Sequence, residues 1–176
     1  MKSKMLILLM SITMNLSAPV QEYITLGLPL PLKGGYNQFV QDMALKEAGG
    51  NWKIINRSGH MGLFQFASGT LKHLGYKNIT PAKFKRNPDC FLPEIQYLAF
   101  KDLTRYNEIE LQSCMGFIGD TIKGVVITKS GLLAGAHLGG SGAVKLFIAT
   151  SGRVDREDMN GTKISDYLRL FSIYEF

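Results

Sequence analysis

The stretch from Glu47 to Phe66 reads EAGGNWKIINRSGHMGLFQF, and it decides how the rest of the chain is interpreted. The residues before it have apolar side chains at helical spacing: Phe39, Val40, Met43 and Ala44. This spacing predicts a helix that starts at Tyr36, with Asn37 as its N-cap, and that ends at Gly49–Gly50, because glycine is favoured just after a helix. Glu47 lies one turn beyond Met43, beside this inward face. A carboxyl group that leans towards a core costs free energy unless it has a partner or a function, so Glu47 is the first candidate site residue.

The remaining sequence predicts a mainly α-helical domain with one small β element. Ser68 is the expected cap of a short helix that ends at Gly75, and residues 76–92 are loop-like. Pro93 suits the first turn of a long helix that continues to residue 111. The predicted apolar stripe of this helix consists of Ile95, Leu98, Ala99, Leu103 and Tyr106.

The β element is predicted at residues 121–128, TIKGVVIT, as a small hairpin around Gly124. Three helices follow, over residues 130–140, 142–150 and 164–172. The first of them reads SGLLAGAHLGG, and its small residues allow another backbone to approach closely. The segment before the last helix resembles a calcium loop, but Arg156 and Tyr167 stand where acidic ligands are required, so a turn is expected there.

The composition is typical of one globular domain. The chain has 176 residues, of which 45% are hydrophobic and 19% charged, and this balance argues against disorder. A formal net charge of +6 favours anionic partners, whether nucleic acid, acidic lipid or acidic cell-wall glycan. The longest basic run is only KFKR at residues 83–86. Because a nucleic-acid groove binder usually concentrates its charge, we expect no nucleic-acid partner.

Residues 1–18 have the layout of a secretory signal peptide. Lys2 and Lys4 precede an apolar run over residues 5–16, and small residues follow before Pro19. The apolar run is too short for a stable membrane span. We therefore expect export to the periplasm or the medium, an extended lead-in over residues 19–35, and one folded domain over residues 36–176. A hydrophobic N-terminus that packs on the domain is the alternative.

The two cysteines, Cys90 and Cys114, can pair in an oxidising compartment or remain separate thiols, and the sequence leaves both possibilities open. The sequence contains no CxxC motif or His/Cys cluster, so neither a metal nor a cofactor is predicted. We expect the protein to be a monomer.

Four short motifs occur in one order: EAGGN at residues 47–51, GLFQ at 62–65, GAHLGG at 135–140, and then Tyr167. In this order they resemble the lytic transglycosylase domain of peptidoglycan-cleaving enzymes, within the lysozyme-like superfamily. Those domains have a catalytic Glu followed by Ser and Gly, a GLMQ-like motif, an AYNxG-like motif and a late Tyr. The resemblance extends over residues 36–170, and it implies an α+β lysozyme-like fold in which short helices surround a catalytic cleft.

The resemblance also implies an activity. Glu47 would be the catalytic residue in cleavage of the β-1,4 bond between MurNAc and GlcNAc in peptidoglycan glycan strands. One Glu suffices in such domains because the N-acetyl group and the 6-hydroxyl of the substrate supply the second function. Glu47 would donate a proton to the bridging oxygen and then accept one from the 6-hydroxyl, which closes a 1,6-anhydro ring. In sequence, no second acid follows Glu47 until Asp89 and Glu94, although either can approach it in space.

The same resemblance implies that further residues beside Glu47 contact the substrate, namely Met61, Phe64, Gln65, His137 and Tyr167. The Tyr167 hydroxyl is expected near Glu47. Structural alternatives remain open. Glu47 can pair with a nearby Lys or Arg, Gln65 and His137 can be satisfied core residues, and Tyr167 can simply be part of an apolar helix.

The chain departs from the family pattern at four positions. Ala48 replaces Ser, Phe64 replaces Met, and Ala136 and His137 replace Tyr and Asn. These changes affect substrate contacts and rate more than the reaction class. Two alternatives to transglycosylation therefore stay open, namely a muramidase that hydrolyses the same bond and a glycan-binding or scaffold protein with a degenerate site.

Overall fold

The structure is a computed structural model, and it describes residues 34–176. The predicted signal peptide at residues 1–18 and residues 19–33 of the predicted lead-in lie outside the described residues. The described part is mostly helical with one two-stranded sheet, which confirms the prediction of a mainly α-helical domain.

Helices account for most of the described chain. The α-helices are α1 (Tyr36–Ala48), α2 (Ser68–His73), α3 (Pro81–Arg86), α4 (Pro93–Glu110), α5 (Lys129–Gly139), α6 (Ser141–Ala149) and α7 (Ile164–Leu170). Two 3₁₀ helices span Pro88–Phe91 and Gln112–Phe117. Strands β1 (Thr121–Ile122) and β2 (Val125–Val126) pair antiparallel, with Thr121 opposite Val126, and so confirm the predicted hairpin.

Helix α1 ends where its sequence predicts. Gly49 has φ +57°, and its amide donates to the Leu45 carbonyl at 2.9 Å, as expected of a glycine that caps a helix. The predicted inward face is buried. The predicted N-cap is wrong, because Gly35 occupies that position and Asn37 lies inside the first turn.

Two predictions between residues 76 and 107 are also wrong. Residues 76–92 contain α3 and a 3₁₀ helix, where the Thr80 hydroxyl accepts from the Lys83 amide and caps α3. On α4, Leu98 and Tyr106 are 53% and 38% exposed instead of buried. The buried face is Gln96, Ala99, Phe100, Leu103, Thr104 and Asn107. It includes three polar residues that an apolar stripe cannot reveal.

Helix α5 is the central helix of the domain, and residues Ser130 to Ala136 are all buried. As the small residues predict, α7 approaches it closely, since a Cβ built on Gly131 would lie 2.6 Å from the Leu168 carbonyl oxygen. The helix begins at Lys129, where the Thr128 hydroxyl accepts from the Gly131 amide, one residue before the predicted start. The close approach of Gly131 to Leu168 holds α7 against the core.

The loop between α1 and α2 folds back on itself through isolated antiparallel bridges that the sequence analysis did not predict. Met61 pairs with Ile55 on one side and with Phe66 on the other. The side chain of Gln96, which is fully buried, holds this loop. Its Oε1 accepts from the Leu63 amide at 2.6 Å, and its Nε2 donates to the carbonyls of Trp52 and Phe91. One buried amide therefore ties the loop to α4.

Cys90 is exposed and Cys114 is buried, and both are free thiols. Over residues 34–176, no single helix is long and apolar enough to cross a membrane. Only α5 and α6 taken together, with a 120° bend between them, reach the required length and composition.

We expect Gly62→Ala to lower the free energy of unfolding by at least about 2 kcal/mol. Gly62 has φ +74°, where a side chain is strained, and an added Cβ would overlap the Gln96 amide and break hydrogen bonds that each contribute about 1 kcal/mol. Denaturant unfolding measures the change. Gly69→Ala is the control, because nothing lies within 4 Å of its added Cβ and alanine favours its helix. Equal stability of the two variants would contradict the role of Gln96.

Candidate functional site

A cleft of about 770 Å³ opens beside the C-terminal end of α1. Its walls come from the α1–α2 loop, α2, α4, the α5–α6 junction and the turn before α7. The polar side chains that line it are Glu47, Asn56, His60, Gln65, Thr70, His73, Tyr106, Asn107, His137, Ser141, Asp158 and Asn160. All three histidines of the chain are among them.

Glu47 lies in the last turn of α1, and its side chain is 14% exposed. The two glycines that end the helix follow almost at once, so the chain turns away and leaves the carboxyl group at the cleft. No ion pair within residues 34–176 joins Glu47 to Lys46, Lys53 or Arg57, the basic residues nearest in sequence. The alternative of a simple surface ion pair with them is not observed.

Tyr167 reaches Glu47 from α7. Its hydroxyl donates a hydrogen bond of 2.6 Å to Glu47 Oε1, as the sequence analysis predicts. Burial raises the pKa of Tyr167, and the negative charge of Glu47 raises it further, so the hydroxyl remains a donor at neutral pH. The helix is oriented in turn by Asp155, whose carboxylate accepts from the amide and the hydroxyl of Ser165.

His137 lies on α5, and its Nε2 is 3.8 Å from Glu47 Oε1. Burial lowers the pKa of His137, and the opposing effect of the Glu47 charge is smaller, so the ring is neutral at pH 7. Both neighbours approach the same carboxyl oxygen. Glu47 Oε2 has no hydrogen-bond partner among the described residues and is the oxygen left for a ligand.

Gln65 also lines the cleft, and its backbone has φ +46°, which is uncommon for a residue other than glycine. Its Nε2 donates to the Gly62 carbonyl at 2.9 Å. The Gln65 side chain therefore makes one hydrogen bond within the protein and also lines the cleft wall, where a ligand can contact it. A strained backbone at such a position is typical of a functional site.

Met61 and Phe64 are placed differently from the expectation. Both side chains are fully buried, and neither lines the cleft. The Phe64 ring stacks on Phe100 with centroids 4.1 Å apart. The expectation that these two side chains contact the substrate is therefore wrong. They pack in the core and support the loop that presents Gln65.

The second acid that lines the cleft is Asp158, not Asp89 or Glu94, and it was not predicted from the sequence. The Asp158 carboxylate accepts hydrogen bonds from the amides of Asn160 and Thr162. It therefore organises the turn, as expected for an Asx turn. The Asp-x-Asn-Gly spacing was the available signal. The turn itself is the one predicted in place of a calcium loop.

The arrangement is one carboxyl group at a cleft, held at one oxygen by a neutral phenol beside a neutral imidazole. Such a group can donate and accept a proton at its other oxygen. No group of metal-binding side chains occurs within residues 34–176. Comparisons of the chain with protein-family models, with curated proteins and with solved structures each give no match.

We expect His137→Asn to reduce the pH dependence of stability on the acid side. The unfolded chain protonates this ring near its ordinary pKa of about 6.5, whereas the pKa in the folded state is lower. The contribution of His137 to the free energy of unfolding is therefore complete above about pH 6.5, and it is lost as the pH falls below that value. Between about pH 7.5 and about pH 5.5, the wild type should lose up to about 1.4 kcal/mol more than the variant. Denaturant unfolding at both pH values measures this. His60 and His73 are common to both proteins, and an equal loss would mean that His137 is not held neutral.

Proposed function

We propose that this protein is an exported enzyme that cleaves the β-1,4 bond between MurNAc and GlcNAc in peptidoglycan by lytic transglycosylation. In this proposal it acts as a monomer, without a cofactor, on glycan strands in the periplasm or outside the cell. The fold would be lysozyme-like, with the short helices around the cleft and the small hairpin as its β element. The order of the four sequence motifs supports this assignment.

The observation that carries the proposal is the position of Glu47. Its side chain is only 14% exposed and lines a cleft of about 770 Å³, and its carboxyl group is held at Oε1 by Tyr167. Gln65 and His137, which the same resemblance points to, line the same cleft. Three of the four motifs thus contribute side chains to one cleft, and the fourth contributes the hydroxyl that orients the acid.

The proposed reaction needs one proton carrier. Protonated Oε2 of Glu47 gives its proton to the glycosidic oxygen as the bond from that oxygen to C1 of MurNAc breaks, and positive charge develops on the ring. The resulting carboxylate then takes the proton of the 6-hydroxyl while O6 bonds to C1. The proton returns to Glu47, and no water is consumed. Tyr167 keeps donating to Oε1 throughout, so it orients the carboxyl group in both protonation states.

Hydrolysis is the second candidate reaction, and Asp158 on the cleft is the observation that favours it. An inverting hydrolase needs a second carboxylate to activate water, and a retaining hydrolase needs one as a nucleophile. Against this role, both Asp158 oxygens already accept hydrogen bonds from the turn that it organises. A carboxylate used in this way is a poorer base, so we favour formation of the anhydro ring.

We expect Glu47→Gln to abolish release of muropeptides from purified peptidoglycan, because the amide has no proton to give and the two side chains are nearly isosteric. Glu94→Gln is the matched control, since this exposed carboxylate on α4 does not line the cleft. Mass spectrometry of wild-type products distinguishes the two reactions, because anhydro products are lighter by one water. Full activity of Glu47→Gln would remove this residue from the mechanism, whereas glycan binding without products from the wild type would favour a scaffold protein.

Tyr167→Phe should lower kcat about 10- to 100-fold with little change in KM, since a hydrogen bond to a charged group contributes about 1.5–3 kcal/mol. Steady-state turnover of soluble glycan strands measures both parameters. The chain offers a close control in Tyr174→Phe, because the Tyr174 hydroxyl also donates at 2.6 Å to a carboxylate of α1, that of Asp42, away from the cleft. If both variants lose the same activity, the effect of Tyr167 is on folding and not on Glu47.

A further inference from the structure

Two turns of the same construction lie in the wall of the cleft. One begins at Asn56 and the other at Asp158, and both of these residues line the cleft. In each turn, one side-chain oxygen accepts from two backbone amides, two and four positions ahead, at 2.8 or 2.9 Å. A glycine with φ +81° stands three positions ahead in both turns, at Gly59 and Gly161. These internal bonds give each turn a defined shape.

The two turns touch at their tips. The Ser58 hydroxyl donates to Met159 Sδ at 3.6 Å, although the two residues are 101 positions apart in sequence. Both are exposed, and Met159 is 86% exposed. His60 and Asp158, their neighbours in the two turns, are half-buried and line the cleft. The contact, here called the Ser58–Met159 bridge, therefore lies on the outer side of the cleft and joins two parts of its wall.

The bridge lies close to the proposed acid. Burial and the charge of Glu47 raise the pKa of Tyr167, and the charge of Asp158 raises it further, so Asp158 lies near this phenol. Burial lowers the pKa of His137, and His60 lowers it further, so the other turn lies near this imidazole. Tyr167 and His137 are the two groups that approach one oxygen of Glu47. The bridge therefore spans the cleft beside the Glu47 carboxyl group.

We propose that the Ser58–Met159 bridge restricts the enzyme to the ends of glycan strands, an inference that rests on the proposed function. A polymer can enter an open groove sideways at any of its bonds, but it enters a bridged groove only by its end. The bond that reaches Glu47 is then one near a strand terminus. Neither Ser58 nor Met159 lines the cleft, so the bridge acts on the choice of bond and not on the transfer of the proton.

The experiment follows the length of glycan strands during digestion. The full chain digests long uncross-linked strands, and chromatography separates the products by length over time. Wild type should release single disaccharide units from the start, while the remaining strands shorten slowly. Ser58→Gly combined with Met159→Gly removes both side chains of the bridge and leaves Asn56 and Asp158 to hold the turns. This double variant should raise the ratio of internal to terminal cleavage about tenfold.

Val154→Gly is the matched control, because it adds backbone freedom to the segment before α7 at an exposed residue that does not line the cleft. It should keep the wild-type product pattern. Denaturant unfolding checks that each protein is folded. If the double variant does not fold, Met159→Ala takes its place, since it shortens the bridge without adding a glycine.

The outcomes separate the bridge from the reaction. Internal products from wild type at the start of digestion, or an unchanged pattern in the bridge variant, would overturn the role of the bridge and leave the proposed reaction in place. The same shift towards internal products in Val154→Gly would also overturn it, because general loosening of the segment would then be the cause. No product from wild type at any time would overturn the proposed function, and this inference with it.

Discussion

The hydrogen bond from the Tyr167 hydroxyl to Glu47 Oε1 is the contact on which the site depends. It joins side chains 120 positions apart in sequence, one at the end of α1 and the other on α7. The bond is possible because Gly131 lets α7 lie directly against α5 and because the glycines after Glu47 turn the chain away from the cleft. The position of α7 therefore also sets the orientation of the Glu47 carboxyl group. A substitution that displaces α7 is expected to displace the Tyr167 hydroxyl from Glu47 as well.

The environment of Glu47 differs from that of the surface carboxylates. Glu108 and Glu110 pair with Lys129 and Lys145, and all four side chains are at least 33% exposed. Glu47 instead has two neutral partners, because burial lowers the pKa of His137 and raises that of Tyr167. Transfer of a proton at Oε2 therefore breaks no ion pair with a Lys or Arg. A neutral surrounding of this kind suits a group proposed to act as an acid and then as a base within one turnover.

Much of the fold could be predicted from local patterns. Helical periodicity located α1, α4, α5 and α7, and the glycine after Glu47 ended its helix where expected. Two of the errors, the face of α4 and the missed acid of the cleft, share one cause, which is that a polar residue with a tertiary role looks like a surface residue in a sequence. Gln96 and Asn107 rotate the true buried face of α4 away from the apolar stripe, and Asp158 resembles any loop acid until the turn forms around it. Met61 and Phe64 show the converse, since a motif position can serve packing alone.

The sequence by itself supplied the candidate site residues, as four motifs in one order, and it determined where most helices begin and end. Helix ends are local because they depend on spacing, capping and turn residues within a few positions. Tertiary structure decided which of those residues meet. It alone brought Tyr167 and His137 to one oxygen of Glu47 and occupied Asp158 with a turn. The physical reason is that hydrogen bonds and burial between distant segments depend on how helices pack, and that packing is set by the whole core at once.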